Sequence, residues 1–169
     1  TDTGALAITG VTTLAAGSGN NITLDHTSNN FQAAVIITSG NNVTLVDAGA
    51  IDLGASTVSG TYAVTATAGG DITDSGVLAI TNGATFTVAG GRSITLDQSS
   101  TFSSTVTFVA SAGTIAAVTI NDSNAFDIKA LTTTGNLTVT AGGAVTDSGT
   151  LVIPGTATIS ASGQAVTLD

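Results

Sequence analysis

Apolar and polar residues alternate along this chain in runs of three to five, too short to cross an ordinary sheet. Leu78 to Ile80, Thr85 to Val88 and Ile94 to Leu96 are typical, and turns rich in Gly, Asn, Ser and Asp part them. A β-branched residue followed by Thr, with Asp shortly after, recurs along the chain. The pairs are Ile22 with Asp25, Val43 with Asp47, Ile72 with Asp74, Ile94 with Asp97, Val118 with Asp122, Val145 with Asp147 and Val166 with Asp169. The pattern predicts about seven coils of about 24 residues, each built of three short strands, as in a triangular prism. Period-two alternation turns Ile22, Val64, Phe86, Ile94, Val106, Phe108, Leu137, Val139 and Ile159 inward, and leaves Thr87, Thr107 and Thr138 in solvent.

A longer repeat lies over the short one. TDTGALAITG from Thr1, TDSGVLAITN from Thr73 and TDSGTLVIPG from Thr146 start 72 and 73 residues apart. Coil-ending phrases follow them: NITLD to Asp25, SITLD to Asp97 and AVTLD to Asp169. Phe31 answers Phe102, and AIDL from Ala50 answers AFDI from Ala125. The long repeats are therefore 1–72 and 73–145, with 146–169 opening a third. Glycine is spread throughout instead of forming a linker, so residues 1–169 read as one segment.

One coil cannot bury its own apolar side chains. Stacked about 4.8 Å above a like coil, it gains backbone hydrogen bonds and extends a column of Val, Ile, Leu and Phe. The fold class expected is all-β, a right-handed parallel β-helix (β-solenoid). Composition agrees, since Thr, Val and Ile abound while Glu and Met are absent. The chain opens on the landmark Thr1-Asp2-Thr3-Gly4 and closes on the coil ending Val166 to Asp169, so coils are expected to continue at both ends and copies to stack end to end.

Charge narrows the functions. A net charge of -9 with two basic residues, Arg92 and Lys129, argues against nucleic acid and anionic lipid. No apolar run reaches the roughly 18 residues of a membrane helix. With no cysteine, neither a disulfide framework nor a thiolate metal site can form.

These repeats, with phrases such as LTVTAGGAVTDSGTL from Leu137, resemble the filamentous-haemagglutinin-like arrays of giant bacterial surface adhesins. The resemblance implies an exported, surface-attached shaft or layer. It implies extracellular or cell-surface localisation and partners that are further coils, or a glycan or protein of a host or cell surface.

Several residues are candidate sites. Asp25, Asp47, Asp74, Asp97, Asp122, Asp147 and Asp169 are expected near one corner, one per coil. Calcium takes carboxylate and carbonyl oxygens, so the first six of these are calcium candidates. The competing reading is that each Asp caps a turn through backbone N–H groups, and no cofactor is then needed. Thr65, Thr87, Thr107, Thr138 and Thr158 are expected to align as an outward column, a ligand face for ice or polysaccharide. Ile36, Ala63 and Asn136 interrupt it. Paired carboxylates for glycan hydrolysis could come from Asp71 with Asp74 or Asp47 with Asp52, but no insertion builds a cleft. His26 beside Asp25 sits in a polar turn, and no catalytic residue is assigned. The chain is expected not to be an enzyme. Asn21, Asn42, Asn121 and Asn136 head glycosylation sequons, and Pro154-Gly155 reads as a type II turn.

Overall fold

A computed structural model describes residues 1–67 and 69–169. Among the described residues there is no helix, and 21 strands pair only in parallel. They wind as a β-solenoid of about eight turns. The first turn holds β1 (Ala7–Ile8), β2 (Thr12–Ala15) and β3 (Ile22–Leu24), and the second β4 (Asn30–Phe31), β5 (Val35–Gly40) and β6 (Val43–Asp47). In the third, β7 (Ile51–Val58) bends across two faces before β8 (Tyr62–Ala66). The fourth holds β9 (Ile72–Asp74), β10 (Leu78–Ile80) and β11 (Ala84–Val88). In the fifth, β12 (Ile94–Phe102) again covers two faces, followed by β13 (Val106–Ala110). The sixth holds β14 (Val118–Asp122), β15 (Phe126–Ile128) and β16 (Leu131–Thr132), and the seventh β17 (Leu137–Ala141), β18 (Val145–Asp147) and β19 (Leu151–Val152). Finally β20 (Ala157–Ser160) and β21 (Val166–Thr167) lie on the last turn. At about 4.8 Å per turn the rod is roughly 38 Å long.

Register shows where the turns differ from the sequence expectation. Tyr62 lies on Ala84 and Ala84 on Val106, while Ile72 lies on Ile94, so one turn takes about 22 residues, not 24. The 72- to 73-residue repeat then no longer holds a whole number of turns. Its strands map pairwise: the stack Ile22, Val43, Tyr62, Ala84 recurs as Ile94, Val118, Leu137, Ala157, but on a different face. Likewise Ile51 on Ile72 recurs as Phe126 on Val145. Counting β7 twice because it covers two faces, ten face positions separate the equivalent strands β1 and β10, where three full turns would need nine. Each long repeat is therefore about three and a third turns, and its landmarks step to the next face of the prism.

All nine residues expected to face inward pack in one continuous core. Ile22, Val64, Phe86, Ile94, Val106, Leu137 and Val139 are buried, while Phe108 and Ile159 are half-buried against the cluster. Thr87, Thr107 and Thr138 point outward, partly shielded by their neighbours in the ladder. Aromatic rings fill the middle of the rod: Phe86 meets Tyr62 and Phe102 edge-on and stacks on Phe108. The Tyr62 hydroxyl is buried without a hydrogen-bond partner, and burial pushes its pKa well up. Its ring is thus core, not a sugar platform. Some corners pack backbone on backbone. A Cβ at Gly70 would lie 2.0 Å from the Ala50 nitrogen, and at the equivalent Gly143 2.7 Å from the Ala125 nitrogen, so both corners require glycine.

Candidate functional site

The Asp residues do not form one column. Because identical Val/Ile-Thr phrases occur on all three faces, the pairs that looked equivalent belong to different stacks. Val43 lies on Tyr62, Ile72 between Ile51 and Ile94, and Val145 between Phe126 and Val166. Asp25, Asp47, Asp74, Asp97, Asp122 and Asp147 are consequently shared among faces. Among the described residues no three acidic or His side chains converge on a common point.

Four of the six, Asp47, Asp74, Asp122 and Asp147, engage backbone N–H groups instead, while Asp97 accepts the Gln98 side-chain amide and Asp25 takes part through its own N–H. Asp2, Asp74 and Asp147, one repeat apart, accept the N–H of Asp25, Asp97 and Asp169 in the following turn, at 3.0, 2.8 and 3.0 Å. Asn21, Asn42 and Asn136 do the same for Asn42, Thr61 and Thr156. A corner side chain thus stands in for a carbonyl and carries the ladder past a bend. Asp47 and Asp122, also one repeat apart, reach back. Asp47 accepts from Phe31 at 2.7 Å and Gly49 at 2.6 Å, and Asp122 from Phe102 at 3.2 Å and Asn124 at 3.0 Å. Both are buried. Of the other carboxylates weighed for glycan hydrolysis, Asp71 accepts from the Ser93 N–H and Asp52 from the Ser75 hydroxyl. His26 accepts the Ser28 N–H through Nδ1, an ordinary turn contact.

These environments set a pH dependence. Burial raises the Asp74 pKa to about 6, opposed by N–H groups of Asp97 and Gln98 and aided by the Asp97 charge. Burial also raises Asp122, against donors from Asn124 and Phe102. Raised groups hold more protons folded than unfolded, so their effect on stability declines as pH climbs through about 4 to 6. Asp2 and Asp127 are lowered, chiefly by the Asn29 amide and by Lys129, and their stabilisation is lost as pH falls below about 4. The melting temperature is expected to peak near pH 4–5 and fall toward pH 7. Asp74→Asn should flatten the upper limb. A melting temperature that rises steadily from pH 4 to 7 contradicts this.

The threonines divide as well. Thr65 lies beside Thr87, but Thr107 lies beside Thr85, and Thr138 and Thr158 are on another face. The longest row is one that phrase matching did not find, Thr73, Thr95, Thr119, Thr138 and Thr158, stacked in register and headed by Asp52.

Two surface grooves occupy the same place in successive repeats, where the ladder opens. One, of about 230 Å³, runs between Phe31 and the Ile51-Asp52 strand. The other, of about 280 Å³, runs between Phe102 and the Phe126-Asp127 strand. Asp127, on the wall of the second, pairs outside the groove with Lys129 at 2.5 Å, the one ion pair among the described residues, and accepts the Ser148 and Thr146 hydroxyls. The matching phrases AIDL and AFDI flagged these strands, but the opposing Ser and Thr come from the next turn and need the register.

Three stretches of the chain, 1–38, 40–109 and 115–169, match a family described as repeats of unknown function (DUF5649). The chain belongs to this family. No curated protein and no solved structure matches it.

Proposed function

We propose that this DUF5649 segment is a structural or adhesive shaft of an exported bacterial surface protein and performs no chemistry. The observation that carries the reading is the continuous core running through about eight turns with no inserted domain or walled cleft among the described residues. Such stacking transmits load from turn to turn, and each turn needs only its neighbours. The one-face step of each repeat adds support, because it spreads every recurring surface feature around the rod instead of building one functional side. The resemblance to filamentous-haemagglutinin-like arrays points the same way for export and adhesion, with further coils, or a surface glycan or protein, as partners.

Antibodies raised to the purified segment test the location. They should label intact cells of the source organism, and mild protease treatment of those cells should remove the signal. Labelling only after lysis would reject the surface shaft.

A second reading has one observation behind it, the in-register row from Thr73 to Thr158. On that reading the row is a ligand face for ice or polysaccharide. Thermal hysteresis or glycan retention abolished by Thr95→Tyr and Thr119→Tyr would favour it over the shaft.

A further inference from the structure

One corner of the prism carries a dipeptide with chemistry of its own. Asn82 is the one asparagine in the chain that precedes a glycine, and it lies in the bend between β10 and β11. Asn82 is exposed and Gly83 half-buried. The Asn82 carboxamide has a single long contact, from Nδ2 to the Ser59 carbonyl at 3.4 Å. The Gly83 N–H meets no acceptor among the described residues, because its neighbours carry the ladder here: the Asn82 N–H donates to the Gly60 carbonyl at 3.2 Å and the Ala84 N–H to the Thr105 carbonyl at 2.9 Å. Other asparagines are held more firmly. Asn29 is fully buried, and Asn42 and Asn136 spend their amide oxygens on N–H groups of the next turn. At the matching corners of the other long repeats, Gly10 and Gly155 stand in place of Asn82.

A free amide nitrogen one residue beyond a carboxamide reaches its carbon through a five-membered ring, and glycine, with no Cβ, lets the backbone take up the attacking geometry. We infer that Asn82-Gly83 is a site of spontaneous modification, where the Gly83 nitrogen closes on the Asn82 side chain and water reopens the ring, so that this corner ages to isoaspartate. The Gly83 N–H yields its proton to hydroxide, and the nitrogen adds to the Asn82 Cγ. The Cγ–Nδ2 bond then breaks, and Nδ2 leaves as ammonia with a proton from water. Water adds next to one of the two ring carbonyls. Cleavage of the new bond to Cγ gives aspartate, while cleavage of the original peptide bond gives isoaspartate. The net reaction consumes one water and releases one ammonia, and nothing is oxidised or reduced. Isoaspartate runs the chain through Cβ and makes it one atom longer. That atom enters between two contacts to the preceding turn, the Asn82 N–H to Gly60 and the Tyr62 N–H to the Gly83 carbonyl at 3.0 Å. The change therefore loosens the joint between the third and fourth turns.

Incubation of the folded segment in warm, mildly alkaline buffer made with heavy-oxygen water tests this, read by mass-spectrometric peptide mapping and isoaspartyl methyltransferase labelling. Asn82 is expected to convert before any other asparagine, to take up one labelled oxygen, and to give isoaspartate beside aspartate. Gly83→Ala should slow the conversion roughly tenfold or more. That variant keeps the fold, because a Cβ at Gly83 would lie 3.7 Å from the Thr105 carbonyl oxygen, an ordinary contact. The converted protein should melt about 2–4 °C lower. Asn82→Asp adds the charge without the extra atom and should melt with the parent. Conversion no faster at Asn82 than at Asn124, aspartate without isoaspartate, a rate that Gly83→Ala leaves unchanged, or conversion in guanidinium but not in the folded segment overturns the site. An unchanged melting temperature after conversion overturns the loosened joint.

Discussion

Phe86→Ala is expected to lower the unfolding free energy by about 3–5 kcal/mol, the range for removing a fully buried aromatic side chain. The ring has no exposed surface, and its centroid lies 6.1 Å from Tyr62, 6.2 Å from Phe102 and 6.3 Å from Phe108. It joins the third, fourth and fifth turns, so the cavity would weaken two turn-to-turn interfaces at once. In a stacked repeat protein, stability is close to a sum of such interfaces. Guanidinium titration should show a lower midpoint, and amide exchange should accelerate most in residues 62–110. A loss below about 1 kcal/mol would mean that the middle of the rod is not packed around this ring.

Asp47→Ala comes next, with an expected loss of about 2–5 kcal/mol, because the buried Phe31 N–H, at about 1–3 kcal/mol, and the half-buried Gly49 N–H, at somewhat less, lose their acceptor. The carboxylate replaces a strand carbonyl where the ladder opens above Phe31. Asp122→Ala should behave alike, since it serves Phe102 and Asn124 one repeat later. Asp47→Asn keeps an acceptor oxygen and should lose less. Asp25→Ala, at an exposed corner, should stay within about 0.5 kcal/mol. Chemical denaturation of the four variants checks the order. Equal losses at Asp25 and Asp47 would deny the capping role.

The same comparison shows what the sequence makes visible. Period-two alternation marks the inward residues well, because a strand in a solenoid has one wet side and one dry side, and Val64 or Ile94 cannot be on the wrong one. The long repeat is equally plain, down to Phe31 with Phe102. The number of turns inside it is not, because Val-Thr and Ile-Thr serve every face. A count of about 24 residues divides the repeat evenly by three, while a ladder register near 22 does not. The misplaced Asp and Thr columns both follow from that. Asp2 illustrates the cost: it opens a repeat just as Asp74 and Asp147 do and makes the same cap, yet a search for Asp after a β-branched residue passes it over. The Asp52 and Asp127 grooves are hidden for another reason, since each is lined by residues of successive turns some twenty residues or more apart.

The extra third of a turn also bears on how arrays of these units vary in length. Adding or deleting one 72- to 73-residue unit lengthens the rod by about 16 Å and swings everything beyond it through about 120° in azimuth. Three units restore the original heading. A tip whose orientation matters can therefore tolerate changes of three units, while one or two would aim it away from its target. Variation in unit number among alleles would then fall in steps of three where the tip must face a surface, and run freely where it need not.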